Sequence, residues 1–361
     1  MATSRMRIGI LGAGGIATQH GIAWTSQAER ATIVAVADVS LPRAEAFAAR
    51  WAGGEAAVYQ GFEALVADPA VDAVDICLPH HLHAPAILAA ARAGKAIFCE
   101  KPLCTTLADA ARIATALEET GVLFVMGHNQ LFQPSLVEAR RLLATGALGR
   151  TYRYRSIECF QNRAALLPQN PVGMLAGESP WTWRNDPARM GGGELLDTGW
   201  HASYRLLALA ADDRPVEVTT TLDRFFLPDL PTEDTALVLV RFASGALGEI
   251  LTSWAFMPVG KWQFEVMAEH GSLAGNGTRL LHQLPRWPEP AETANPPVHT
   301  FTAAASHFLD VALLGVPNLA PFATAARVLQ LTLAAYESAK LRRPVALPED
   351  PLQGGVAAPA D

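Results

Sequence analysis

One short stretch near the start constrains this chain more than any other: an apolar run, residues 7–11 (RIGIL), stops dead at Gly12-Ala13-Gly14-Gly15, and residues 16–26 continue with helical character. That is a strand, a glycine turn and a helix. Gly12 and Gly14 take the G-x-G positions of a dinucleotide-binding turn, and Ala17 takes the third, where a small side chain lets helix and strand pack closely. The backbone N–H groups around Ile16 carry partial positive charge, so a pyrophosphate approaches over Gly12, Gly14 and Gly15 without meeting a Cβ. A glycine-rich turn by itself is only a chain reversal. The strand before it, the helix after it and an acidic strand end further on are what make it a nucleotide site.

The acidic strand end is Asp38, which closes the apolar run 32–37 and stands 26 positions after Gly12. This is slightly longer than the roughly 20-residue spacing usual for a ribose-binding carboxylate. A carboxylate there accepts hydrogen bonds from both ribose hydroxyls and repels the 2′-phosphate of NADP, so NAD is the expected cofactor. Arg43 nearby leaves room for NADP. An aspartate so placed also serves as a turn or helix-cap residue.

Strand and helix signals then alternate: helix 41–51, strand 71–78, helix 84–93, strand 96–99, helix 107–120, strand 122–126. Such repetition specifies a doubly wound parallel sheet with helices on both faces and a ligand crevice at the strand C-termini. The pattern changes after Pro134. A helix to about 145, a strand over 151–159, a long irregular segment, a helix from about 195 to 210, β-like segments at 216–226, 236–242, 247–254 and 262–268, and late helices near 302–314 and 324–340 describe an α+β domain on a largely antiparallel sheet. The Pro-rich stretch 285–297 reads as a surface excursion. The expected domains are 1–128 for the dinucleotide and 129–347 for substrate and assembly, with 348–361 as a tail.

A chain of 361 residues, half of them apolar, has ample material for two cores. Its net charge of −7, from 28 basic and 35 acidic residues, gives no footprint for nucleic acid. Four cysteines without a CxxC pair fit reduced thiols, and no stretch approaches the ~20 apolar residues of a membrane span. The expected setting is cytoplasmic.

Two constellations carry chemistry. Glu100-Lys101-Pro102 follows the strand 96–99, which places Lys101 at the ligand edge of the parallel sheet. Its ammonium can hydrogen-bond a substrate hydroxyl and stabilise the alkoxide that develops as hydride leaves; a snorkelling surface lysine is the plain alternative. In Gly191-Gly192-Gly193-Glu194-Leu195-Leu196-Asp197-Thr198-Gly199-Trp200-His201, Asp197 and His201 stand at i and i+4, so a carboxylate can orient an imidazole that accepts a proton near neutral pH. A helix-surface ion pair has the same spacing.

Together these motifs resemble the Gfo/Idh/MocA family, the glucose-fructose oxidoreductase and inositol dehydrogenase relatives. The resemblance rests on GAGGIA, LPHHLHAPAILAAARAGKAIFCEKPL, the region to GALGR, GGGELLDTGWH and AAYESAKLRRPV, in that order along nearly the whole chain. It implies a Rossmann domain followed by an open α/β domain whose sheet often forms oligomer interfaces, hence a homodimer or homotetramer. It also implies that Lys101, Asp197 and His201 are the catalytic lysine, aspartate and histidine, with His201 as base. By the same resemblance the Lys101–Pro102 bond is expected to be cis, and the loop of Pro79, His80 and His83 to border the nicotinamide with Glu100 and Lys101. Leu131 stands where the family often carries an arginine. Asn129, Gln130, Arg163, Trp183 and Arg184 supply polar and aromatic groups suited to a sugar or polyol. His80, His81 and His83 fall within four positions, yet no cysteine or carboxylate completes a metal set nearby, and no metal is expected.

The expected activity is NAD-dependent oxidation of a secondary alcohol of a sugar, sugar derivative or cyclitol, or reduction of the ketone. Two alternatives share the same residues: an NAD-retaining glycosidase working through transient C3 oxidation and elimination, and a dinucleotide-binding regulator without chemistry.

Overall fold

The computed structural model describes residues 5–161, 183–227, 229–259, 262–284 and 289–352. The chain divides into two compact units, one of residues 1–128, 167–191 and 301–325, the other of 129–166, 192–300 and 326–361. Among the described residues, no helix is long and apolar enough to cross a membrane.

The first unit is built on six parallel strands in the order β3-β2-β1-β4-β5-β6: β1 (Met6–Leu11), β2 (Ala31–Ala37), β3 (Ala57–Tyr59), β4 (Ala73–Ile76), β5 (Ala96–Glu100) and β6 (Phe124–Gly127). The order reverses between β1 and β4, and there the crevice for a ligand opens at the strand C-termini. Because helices cover both faces, the central strands are buried on both sides; Ile8, Ile10 and Leu11 of β1 and Val74 and Ile76 of β4 have no solvent exposure. The helices are α1 (Ala17–Thr25), α2 (Leu41–Trp51), α3 (Phe62–Val66), α4 (His83–Arg92) and α5 (Leu107–Thr120). Sequence signals for α5 are clear: Thr106 caps Asp109 N–H at 3.0 Å, Asp109 accepts from the Thr106 hydroxyl at 2.9 Å, and Gly121 ends the helix at φ 66°. The short β3 and α3 had no such signal, since three strand residues and five helical ones show no period.

The first unit also recruits late chain. Arg30, at the turn before β2, pairs with Asp310 at 2.6 Å and Ser306 at 3.2 Å, while Phe308 packs its ring on Trp24 and Phe98. Both partners belong to a helix over Thr300–Leu314.

The second unit carries a nine-stranded sheet, β14-β13-β12-β11-β7-β10-β9-β8-β15. Its strands are β7 (Thr151–Cys159), β8 (Pro215–Asp223), β9 (Thr235–Phe242), β10 (Leu247–Ser253), β11 (Phe264–Ala268), β12 (Gly271–Asn276), β13 (Arg279–Gln283), β14 (Ala291–Ala294) and β15 (Val345–Ala346). Among the described residues only β7 with β10 is parallel, and the other pairings of this sheet are antiparallel. Strand β14 falls inside the Pro-rich stretch read as an excursion, where alanine, glutamate and threonine gave no apolar alternation. The helix expected over 195–210 is two segments, Glu194–Asp197 and Gly199–Ala210, joined at Thr198, whose φ/ψ of −82°/−37° remains helical. At the end of the described chain Leu347 N–H donates to Val216 O at 2.8 Å, and Gln330 Nε2 donates to Pro348 O at 3.1 Å.

One face of this sheet is covered. The helix Gly199–Ala210 packs on β7 and β10, and α6 (Pro134–Ala144) on β12 and β13, burying Val238, Val240, Ile250, Phe264 and Val266. On β9 the alternate residues Leu237 and Leu239 are 41% and 52% exposed. Arg153, Arg155, Glu249 and Glu265 form a cross-strand ion network beside them.

Candidate active site

The glycine turn has the geometry its sequence implies. Gly12 sits at φ 93°, and a Cβ there would lie 2.6 Å from the carbonyl oxygen of Cys77, so both the backbone conformation and the neighbouring strand end demand glycine. Gly14 and Gly15 differ: nothing stands within 4 Å of an added Cβ. Protein packing therefore leaves the space over these two glycines open. Helix α1 begins immediately afterwards, and its N-cap, Ile16, makes no side-chain cap. Open space, bare amides and the helix dipole together fit a pyrophosphate.

Asp38 has two duties. It is 8% exposed, its Oδ2 accepts Ala13 N–H at 2.9 Å, and its Oδ1 accepts Ser40 N–H at 2.8 Å, with Arg43 Nε 3.3 Å away. The carboxylate thus pins the glycine turn as well as closing β2, and Arg43 is drawn to the same spot. Asp38→Ala is expected to raise the KM for both cofactors by loosening Ala13, and that for NAD more than that for NADP. Equal effects would mean that the carboxylate acts only through the turn.

After β4 and β5 the loops lock onto each other. His83 lies between the carbonyl oxygens of Pro102, 2.6 Å from Nδ1, and Leu78, 2.8 Å from Nε2. Burial, then the neighbouring His80, pushes its imidazole down to about 4. The Lys101–Pro102 bond is cis. His80 Nδ1 faces Met190 O at 3.0 Å, its ring meets Trp183 edge-on at 4.7 Å, and Arg184 stacks over Trp183 at 4.3 Å. So Pro79, His80, His83, Glu100, Lys101, Trp183 and Arg184 all belong to the first unit, around the ends of β4 and β5. Arg163 lies outside the described residues.

Asp197 and His201 belong to the second unit, one turn apart, with Asp197 3% exposed. The last of the three glycines before them, Gly193, is required by packing. A Cβ on Gly193 would stand 2.3 Å from Glu233 Oε2, so the chain passes directly over a buried carboxyl group. That group organises the loop: Glu233 Oε1 accepts Leu195 N–H at 3.0 Å and the Tyr336 hydroxyl at 2.8 Å, and Tyr336 in turn accepts Gly193 N–H at 2.9 Å. Trp254 Nε1 donates to Thr198 Oγ1 at 2.7 Å. Burial pushes Glu233 from its ordinary 4.5 up to about 7 and holds the Glu194 carboxyl well above the usual carboxylate range.

A carboxyl group whose pKa is raised on folding stabilises the fold fully below its unfolded value, and that contribution is lost as pH rises through the folded one. Stability is therefore expected to fall between about pH 4.5 and about pH 7. Glu233→Gln keeps the accepting oxygen and should flatten this slope in denaturant titrations across that window; an unchanged slope would place the proton elsewhere.

Asn129 and Gln130, expected to meet substrate, have side-chain partners within their own unit. Asn129 Nδ2 donates to Thr300 Oγ1 at 2.8 Å, and Gln130 Oε1 accepts from Arg205 at 2.6 Å. Arg205 has no exposure and also donates to Glu158, to Ile157 O at 2.9 Å and to Gln263 O at 3.0 Å. Leu131 is 2% exposed. Neither Arg205 nor the Glu233–Tyr336 pair was singled out from sequence. A charged residue inside the apolar run of residues 199–210 was the one signal for Arg205.

Residues 6–128 match the model of an oxidoreductase family with an NAD-binding Rossmann fold, and residues 136–274 match the Gfo/Idh/MocA C-terminal domain. The chain is similar to 1,5-anhydro-D-fructose reductase of Ensifer adhaerens, 32% identical over 274 residues, which are 74% of this chain and 75% of that protein. It is also similar to myo-inositol 2-dehydrogenase of Thermotoga maritima, 27% identical over 279 residues, 76% of each chain. In fold it matches a solved levoglucosan dehydrogenase in complex with NADH, with a TM-score of 0.83 and 22% identity over 96% of this chain and 100% of that one.

Proposed function

Because this chain belongs to the Gfo/Idh/MocA family of NAD-binding oxidoreductases, we propose that it interconverts a secondary alcohol and a ketone on a sugar, sugar derivative or cyclitol. The observation that carries this reading is the built dinucleotide cradle: Gly12 forced to φ 93°, open space over Gly14 and Gly15, and Asp38 holding the turn. Gly12, Gly14, Gly15 and Ile16 hold the pyrophosphate and Asp38 the ribose, with Arg43 admitting NADP as a secondary cofactor. When bound, the nicotinamide supplies a hydride acceptor.

Lys101 donates a hydrogen bond to the reacting oxygen and stabilises its negative charge. His201 takes the hydroxyl proton, and Asp197 orients its ring and steadies the imidazolium. Trp183 and Arg184, stacked beside His80, offer an aromatic face and a multidentate donor to a polyhydroxylated ligand. The substrate class follows the names of the relatives above, a 1,5-anhydro-D-fructose reductase and a myo-inositol 2-dehydrogenase.

A screen of sugars, inositols and glycosides, with NAD and with NADP, tests the proposal. NADH should accumulate with at least one free polyol. Release of an aglycone without NADH would instead identify redox-neutral glycoside cleavage, and no turnover with intact cofactor binding would identify a regulator. We further propose a homodimer or homotetramer assembled across the exposed sheet face of Leu237 and Leu239, with its flanking ion network. Sedimentation as a monomer at micromolar concentration would count against it.

A further inference from the structure

Beneath Lys101 lies a buried charged chain that the proposed chemistry does not use. His20, on α1 just after the dinucleotide turn, is 2% exposed, and each ring nitrogen faces a carboxylate: Nδ1 is 2.7 Å from Asp75 Oδ2 and Nε2 is 3.1 Å from Glu100 Oε1. Asp75, in the middle of β4, has no exposure; its Oδ2 also accepts Trp24 Nε1–H at 2.6 Å. Glu100, 5% exposed, turns its other oxygen to the backbone N–H of Lys101 at 3.1 Å. The rest of the ring's surroundings are apolar or neutral: the rings of Phe98 and Phe301 at 5.8 and 5.5 Å, and the thiol of Cys77, which burial pushes up to about 12.

An ionised carboxylate only accepts hydrogen bonds, so a ring between two of them needs a proton on each nitrogen. A buried anion is strongly disfavoured without such a partner. From this geometry we propose that His20 is a permanent imidazolium that clamps Glu100 and thereby positions Lys101, tying the helix that receives the pyrophosphate to the lysine that meets the substrate. It is a positioning residue, and the proposal rests on the reading of Lys101 given above. Burial is the largest single influence and opposes the charged ring, yet Asp75 and Cys77 together outweigh it and hold the His20 pKa well above the ordinary histidine value. His20, Asp75 and Cys77 also bring three potential ligand atoms within 4.8 Å of one another. A metal ion there would have to displace the proton on Nδ1.

The test uses the full-length protein and needs no substrate for its first two readings. Nitrogen-15 spectra of histidine-labelled protein should show His20 with both nitrogens protonated at pH 7.5, where an ordinary histidine is mostly neutral. A neutral ring at pH 7.5, or stoichiometric zinc in the purified protein, would overturn the proposal. The chain has only four lysines, Lys95, Lys101, Lys261 and Lys340, so carbon-13 dimethylation resolves Lys101. Its resonance should move in His20→Asn, which keeps a donor toward Asp75 and loses the one toward Glu100, and move less in His20→Gln, which does the reverse. Lys95, held by Asp68 O and Val71 O, should stay in place. An unmoved Lys101 in His20→Asn overturns the clamp. With a substrate from the screen, kcat should fall roughly 10- to 100-fold in His20→Asn and less in His20→Gln, with the KM for NAD nearly constant. Equal losses in both variants would reduce His20 to packing. If no substrate is found, the function proposed above fails while the two spectroscopic readings still decide this one.

Discussion

His201→Asn is expected to lower kcat by roughly 10²- to 10⁴-fold, the usual contribution of a general base, while leaving the dissociation constant for NAD unchanged. The separation follows from the chain's own division. The residues proposed to hold the dinucleotide lie in the first unit, between Gly12 and Lys101, whereas His201 sits in the first turn of a helix of the second. Lys101→Ala should cause a loss of similar size in kcat/KM, because stabilisation of a developing alkoxide is realised mainly in the transition state. Asp197→Asn should cost less than His201→Asn, since the ring survives and only its orientation suffers. Fluorescence titration with NADH and steady-state kinetics measure the two quantities separately. A His201→Asn protein with wild-type turnover would sink the assignment of the base.

Arg205→Met is expected to destabilise the second unit by about 3–5 kcal/mol, the range for removing one partner of a buried ion pair. The guanidinium is fully buried and serves Glu158, Gln130 and the carbonyls of Ile157 and Gln263 at once. Methionine fills much of the volume but leaves the Glu158 carboxylate uncompensated and takes a donor from the carbonyls of Ile157 and Gln263, of which Gln263 O keeps Ile157 N–H at 2.7 Å. The double variant Arg205→Met, Glu158→Gln should recover part of the loss, because the stranded charge is then gone. Urea titration reads both. A single variant within 1 kcal/mol of wild type would show that water replaces the guanidinium at little cost.

How much of this was legible beforehand depended on the length scale of the signal. The parallel sheet was legible because each strand is an apolar run followed by a helix, a local pattern repeated down the first unit. The tight turn at Gly12 was legible too, since a glycine run between a strand and a helix is a local feature. Long-range roles were not. Asp38 reads as a ribose ligand, but nothing in its neighbourhood announces a bond to Ala13, 25 positions earlier. Gln130 reads as a substrate contact, and nothing in its neighbourhood announces that Arg205, 75 positions on, donates to its oxygen. Asp75 was hidden in a strand reading VDICL; an acidic residue within a run that packs on both faces was the available clue, and its partners His20 and Trp24 lie 55 and 51 positions away. Strands β12 to β14 were missed because glycine, arginine and glutamate break their alternation.

The most direct test of the account is isotopic. A polyol identified in the screen, deuterated at its carbinol carbon and turned over with unlabelled NAD, should yield NADH carrying one deuterium in the nicotinamide ring, together with ketone that has lost it. Deuterium recovered in solvent, or product formed with no label in the cofactor, would contradict hydride transfer as the reaction of this chain.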